Sequence, residues 1–396
     1  MKLLFVSPFY KPAYVYGGPT RSIPSLCEGL VRQGNEVEVL TTNANGNSTL
    51  GVQTGNPVDV DGVEVTYYPQ STIAGRFFYS PALKQASIER AAQFDFAYIY
   101  GIWNYPAIAA GSVCRTQGVP YIVSPRTGLM QWPIRQGWFR KKLYLWFFGQ
   151  RYLDGAWAMH YTTEVEQRES EQMKINTPGF VVPNCMDFSE FDALPTAGLF
   201  RGRQGISGDA PLLLFLGRIE PRKGVEISLR AFAEVKRDVP GAQFVVAGPG
   251  DDEYIAQLRD IADDLRIDDA THFPGYVDAS ERLQALVDAD VFILTSHTEN
   301  FAMAAVEAMA AGTPVLLSEE VGVADDAAKA GAGVSVALNE QEVSSELHNL
   351  LADPSIRNEM GQRGPSHVRK TYQPDAVASQ MTDAITELRE KGKAMC

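Results

Sequence analysis

The sequence predicts an α/β fold of two Rossmann-like, doubly wound domains facing a cleft, and three observations point there. Short apolar runs alternate with helix-like stretches through most of the chain. The alternation comes as two series divided by a polar stretch. With 396 residues, the chain is also too long for one compact core and suits two domains of ordinary size.

The first series opens with a strand at 2–7, a loop holding Gly17-Gly18-Pro19, and a helix running to about Gln33. Strand-like runs follow at 36–41, 63–68, 96–100, 120–124 and 157–162, and the run at 180–184 closes the series. From 189 to 209 the residues are rich in Gly, Arg and polar types without a sustained apolar period, which predicts a linker. The second series has strands at 212–217, 243–247, 272–273, 291–294 and 315–317, with helical periodicity beyond 340. Residues 374–391 read as an amphipathic helix with Val377, Met381, Ile385 and Leu388 on one face. The expected organisation is a domain at 1–190, a second at 191–373, and a terminal segment at 374–396.

Composition narrows the class. Hydrophobic content of 45% with 21% charged residues is that of a globular protein, and no apolar run reaches the length of a membrane span. The apolar start is followed at once by Pro8, Pro12 and Gly17-Gly18, so it reads as a strand and not as a signal peptide. Cys27, Cys114, Cys185 and Cys396 lie far apart without CxxC or Cys/His spacing, which fits a reduced cytoplasmic compartment. A net charge of −13 argues against general nucleic-acid binding.

Two strand–loop–helix junctions carry the chemistry. After the run at 212–217, which ends in Gly217, comes Arg218-Ile219-Glu220-Pro221-Arg222-Lys223-Gly224, then a helix. After Val291–Leu294 comes a loop with Glu299, then an Ala- and Met-rich helix carrying Glu307, then Gly312 and Pro314-Val315. Free backbone N–H groups at such junctions suit phosphate oxygens. Carboxylates beside them suit sugar hydroxyls, and a leaving diphosphate requires fixed cations such as Arg218 and Lys223. If Glu299 and Glu307 shared one helix they would stand roughly 12 Å apart. That exceeds the separation of roughly 5–9.5 Å in glycosidase carboxylate pairs.

The Glu-x7-Glu spacing with Ala-Met-Ala-x-Gly-x-Pro-Val resembles the donor signature of family-four retaining glycosyltransferases (glycosyltransferase group 1), which have the GT-B fold. The Gly-Arg-x4-Lys-Gly segment resembles the same family's diphosphate motif. The resemblance implies that Arg218 and Lys223 hold the diphosphate, Glu299 acts near the sugar and its phosphate, and Glu307 binds the ribose. It assigns further donor contacts to Gly17, Gly18, Tyr276, Val277 and the peptide groups of Asn300, Phe301 and Ala302. It implies a nucleoside diphosphate sugar as co-substrate, a glycan or lipid-linked acceptor, no cofactor and no metal. In this family the terminal helix crosses back onto the first domain.

The first domain departs from the family pattern. Ser124-Pro125-Arg126-Thr127-Gly128 stands where many relatives carry a histidine, and Tyr98-Ile99-Tyr100-Gly101 also lacks one. Arg126 and His160 are the acceptor-side candidates, the alternative for His160 being a ring packed in the core. Asp59-Val60-Asp61 has the form of a metal-binding DxD, but the following Gly62 and strand read as a turn. An epimerase of the same fold and a non-catalytic nucleotide-sugar binder are the rival functions.

One segment is electrostatically distinct. Between Asp95 and Asp154 there is no acidic residue, while Arg115, Arg126, Arg135, Arg140, Lys141, Lys142 and Arg151 contribute +7. The remainder therefore carries −13 − 7 = −20. Trp138, Phe139, Tyr144, Trp146, Phe147 and Phe148 interleave with these bases. The pattern predicts a face for peripheral contact with the cytoplasmic side of a membrane or for an anionic acceptor, the alternative being that the aromatics are core.

Overall fold

The structure is a computed structural model. It describes residues 1–71, 75, 77–135, 138–173 and 175–394, and the side chains of these except 133, 135, 138, 140, 148 and 391–394. The side chains of Arg135, Trp138, Arg140 and Phe148, named above, thus lie outside the described residues. The chain divides into two compact units, residues 1–187 with 372–396, and residues 188–371.

The first unit contains β1 (Lys2–Val6), β2 (Glu36–Thr42), the short hairpin strands β3 (Ala44–Asn45) and β4 (Ser48–Thr49), β5 (Pro57–Val60), β6 (Val63–Tyr68), β7 (Phe96–Tyr100), β8 (Tyr121–Ser124), β9 (Ala158–Tyr161) and β10 (Gly179–Val181). Eight of these form one sheet in the order β10-β9-β8-β7-β1-β2-β6-β5, parallel except for the β5–β6 pair. Central strands such as β7 are buried at every residue, because helices cover both faces and leave no solvent-facing side to alternate with. The order reverses beside β1, so the loops at the carboxyl ends of β1 and β7 border the position where such sheets collect ligands.

The terminal helix Pro374–Ala394 packs on the helix Pro19–Arg32 of this unit, burying Val377, Met381 and Ile385. Gly29 makes the close approach possible, since a Cβ there would lie 2.6 Å from the Pro374 carbonyl oxygen. The DxD-like segment is the β5–β6 hairpin. Asp61 and Gly62 take φ of 53° and 83°, the left-handed pair that a tight two-residue hairpin turn requires. The strand β5 was not expected, because Pro57 and Asp59 hide an edge strand whose pairing is local.

The second unit contains β11 (Leu212–Leu216), β12 (Gln243–Ala247), β13 (Thr271–Gly275), β14 (Val291–Leu294), β15 (Val315–Ser318) and β16 (Gly333–Val336), all parallel in the order β13-β12-β11-β14-β15-β16. Here too the order switches at the central pair, between the carboxyl ends of β11 and β14, where both chemical motifs fall.

The predicted linker at 189–209 is instead a structured part of this unit. Its helix Leu199–Gln204 buries Phe200, and the Asp288 carboxylate accepts hydrogen bonds from the amides of Phe200 and Arg201 at 2.7 and 2.9 Å. A cap supplied from 87 and 88 residues away leaves no local signal.

Candidate functional site

In the second unit, two loops meet at the switch between β11 and β14. The first runs from Gly217 through the turn Pro221–Lys223 into the helix Val225–Asp238. The second runs from Thr295 to Ala302 into the helix Met303–Ala310. They are tied together at Thr295, whose hydroxyl donates to the Gly224 carbonyl at 2.7 Å and lies 2.8 Å from Ser228 Oγ. The His297 amide donates to Arg222 O at 2.9 Å. Gly224 is obligatory there. Its φ is +62°, and an added Cβ would fall 2.0 Å from the Thr295 carbonyl oxygen.

These ties bring Lys223 and Glu299 together. The Lys223 ammonium pairs with Glu299 Oε2, and Arg222 Nη1 stands 4.0 Å from the same oxygen. Burial works to push the Glu299 carboxyl up. The charges of Lys223 and Arg222 outweigh it, aided by hydrogen bonds from Lys223 and the Ala302 amide, and hold the group below its ordinary range. The backbone of Glu299 is equally fixed, donating to Glu320 O at 2.9 Å and accepting from Gly322 N at 2.8 Å. Ala302 takes the left-handed conformation, φ 67°, directly before the helix. An alanine held there is strained, and the turn aims the Ala302 amide back at Glu299. Asn300 and Phe301 are buried beside it.

The other residues of this unit expected to bind the donor, and their partners, stand as follows. Glu307 is buried on the helix Met303–Ala310, 2.5 Å from Arg282, which also holds Glu190 at 2.5 Å. Arg218 is exposed and lines a hollow of about 330 Å³ with the Pro249-Gly250-Asp251 turn and Tyr254, a set that does not include Lys223 or Glu299. Among the described residues it pairs with no carboxylate, which leaves its guanidinium available to an anion. Tyr276 projects into solvent after β13, and Val277 is half-buried. Arg222, Arg282 and Glu190 were missed in the sequence. Arg282 sits on the helix Ala279–Asp288, and nothing local marks Glu307, 25 residues on, as its partner.

In the first unit, Gly17 has φ 75° after the turn Tyr14–Tyr16, and Gly18 precedes Pro19 at the start of its helix. Arg126 is buried with φ 45°. It donates to Asn184 Oδ1 and lies over the Tyr100 ring at 5.5 Å. Burial opposes its charge, but Tyr98, Tyr100 and Glu166 together raise its pKa further.

His160 does not fit the acceptor-side role expected of it. It is 1% exposed, its Nε2 stands 2.7 Å from Val182 O, and its Nδ1 stands 2.7 Å from the Tyr98 hydroxyl. A carbonyl only accepts, so Nε2 carries the proton and Nδ1 accepts from tyrosine, and neither nitrogen is left for a substrate. Burial, with the Arg126 charge, lowers its pKa to about 3.

Accordingly, the His160 ring is expected to stay neutral between pH 8 and 5 in a heteronuclear NMR titration. A group depressed in this way contributes stability that is present above its unfolded pKa of about 6.5 and lost as pH falls toward 3. A ring that protonates near pH 6.5 in the folded protein would contradict the geometry.

Two units, each built on a mainly parallel sheet whose strand order reverses at its centre, are the architecture of the GT-B fold. Residues 199–367 match the model of the glycosyl transferases group 1 family, and residues 17–185 match that of the glycosyl transferase 4-like domain. Each compact unit therefore carries a match to a glycosyltransferase family model.

Among curated relatives it is 32% identical over 232 residues to the D-inositol 3-phosphate glycosyltransferase of Kineococcus radiotolerans. That match covers 54% of this chain and about half, 53%, of that protein. It is 27% identical to an uncharacterized glycosyltransferase of Methanocaldococcus jannaschii, over 96% of each chain. Among solved structures, the Anabaena protein HepE in complex with UDP and glucose superposes with a TM-score of 0.67 at 16% identity, covering 98% of this chain and 100% of that one.

Proposed function

We propose that the protein transfers a hexose from a nucleoside diphosphate sugar to a sugar hydroxyl of a glycan or lipid-linked acceptor, retaining the anomeric configuration and without a metal ion. The observation that carries this reading is the Lys223–Glu299 pair, held where the helices Val225–Asp238 and Met303–Ala310 begin. As the bond between anomeric carbon and phosphate oxygen breaks, negative charge grows on the diphosphate. Lys223, with Arg218 in reach of solvent-borne anions, supplies the fixed positive charge that offsets it. The acceptor oxygen bonds to the anomeric carbon and its proton passes to the departing phosphate, so no imidazole is required. That balance agrees with a buried, neutral His160. Glu307, oriented by Arg282, would take the ribose hydroxyls. The UDP in the Anabaena structure supports a uridine donor as the first to try.

Turnover with a panel of UDP-, GDP- and ADP-hexoses is expected to persist in excess EDTA and to give a product whose anomeric proton coupling matches that of the donor. Inversion in the product NMR spectrum, or abolition by EDTA, would overturn the mechanism.

A further inference from the structure

We propose that the helical segment at 138–154 is a peripheral docking face for an anionic lipid bilayer. The segment comprises Trp138–Tyr144, a π-helical turn Leu145–Gly149, and Gln150–Asp154. Its inward face accounts for the packing the unit needs. The Tyr144 hydroxyl donates to Ile102 O at 2.6 Å, Leu145 packs on the core, and Tyr152 and Leu153 are 2% and 1% exposed.

The outward face should then be polar, as on any surface helix. It is not. Phe139 is 67% exposed, Leu143 40%, Trp146 73% and Phe147 57%. Their spacing of i, i+4, i+7 and i+8 puts them in one stripe on the solvent side. Phe139, Trp146 and Phe147 are among the most exposed large apolar side chains of the described residues, and exposure of this kind in one stripe marks a contact surface.

Charge selects the occupant. Lys142 and Arg151 are exposed beside the stripe, and the acid-free segment from 96 to 153 carries +7 in a chain whose other residues sum to −20. A negative surface is repelled by most of this chain and attracted by this segment, and basic side chains flanking aromatic ones are the composition of an interfacial helix. Not every base serves. Lys141 turns over the Trp103 ring at 5.5 Å, and Arg126 is buried. No described helix is long and apolar enough to cross a membrane, so the contact is superficial. A second copy of this chain would bring like charges together at the same stripe, which disfavours it.

Flotation with vesicles tests this without reference to catalysis. At low salt the full chain is expected to float with vesicles of phosphatidylcholine containing one-third phosphatidylglycerol and to remain below with phosphatidylcholine alone. The Trp146→Ser/Phe147→Ser variant should lose at least tenfold in bound fraction, Trp146→Phe should retain binding, and Lys142→Glu/Arg151→Glu should weaken it and flatten its salt dependence. Circular dichroism verifies that each variant is folded, as substitutions at exposed positions allow. The proposal fails if the wild type stays in the soluble fraction or if the serine variant floats as well as the wild type. It fails equally if light scattering shows a wild-type dimer that the serine variant abolishes while flotation is absent.

Discussion

Lys223→Met is expected to lower donor-dependent turnover at least tenfold, a loss of about 1.4 kcal/mol in transition-state stabilisation. That is a modest demand, because a charge-assisted contact to a departing phosphate is among the stronger interactions an enzyme makes. The same substitution has a second effect. It leaves Glu299 buried with Arg222 at 4.0 Å as its remaining cation, and uncompensated buried charge destabilises a fold. Both effects would reduce activity in a crude assay, so the double variant Lys223→Met/Glu299→Gln separates them. It should recover the thermal stability that the single variant loses while turnover stays low. Steady-state kinetics alongside thermal melts decide the matter, and near-wild-type turnover in the single variant would remove Lys223 from the mechanism.

Gly248→Ala is expected to be the most destabilising small substitution in the second unit. The residue follows β12 with φ +138°, and a Cβ there would lie 1.8 Å from the Gly217 carbonyl oxygen. Both partners are backbone, so no rotamer change relieves the overlap, and the first turn after β11 must shift. A cost of about 3 kcal/mol or more corresponds to a fall in Tm of roughly 6–12 °C for a unit of this size. Gly17→Ala is the control. It also has positive φ, at +75°, but nothing lies within 4 Å of the added carbon, so only conformational strain of about 1 kcal/mol applies. Differential scanning calorimetry should rank the two clearly, and equal melting temperatures would mean that the β11 turn yields freely.

The strands were legible in the sequence wherever they are buried on both faces. The runs at 96–100, 243–247 and 291–294 match β7, β12 and β14 residue for residue, because a doubly covered parallel strand has no polar alternation to blur its ends. What escaped reading is a sheet edge or is held by distant partners. Edge strands β5 and β16 are short or half-buried, and the helix Leu199–Gln204 takes its cap from Asp288. The site followed the same rule. Lys223, Glu299 and Glu307 stand in spaced motifs and could be named. Arg222, Arg282 and Glu190 act through contacts across 77, 25 and 92 residues of chain, which spacing does not encode. His160 was left between two readings for a related reason, and the packed ring is the one found. Its type suggested chemistry, whereas the Tyr98 hydroxyl and Val182 carbonyl that occupy it are recruited from neighbouring strands.

The lacing of the two loops through Thr295 has a consequence for how such a protein can diversify. One hydroxyl joins Gly224 and Ser228, and the Gly224 backbone leaves no room for any side chain. Drift within this cradle is therefore closed off, since nearly every change there disturbs both loops together. Tyr276 stands under the opposite regime, 74% exposed and outside the lacing. Mutations arising at that position cost the fold little and can accumulate neutrally. A lineage descended from this chain would keep the laced cradle fixed while varying at the solvent rim, and laboratory evolution has most freedom if its libraries begin there.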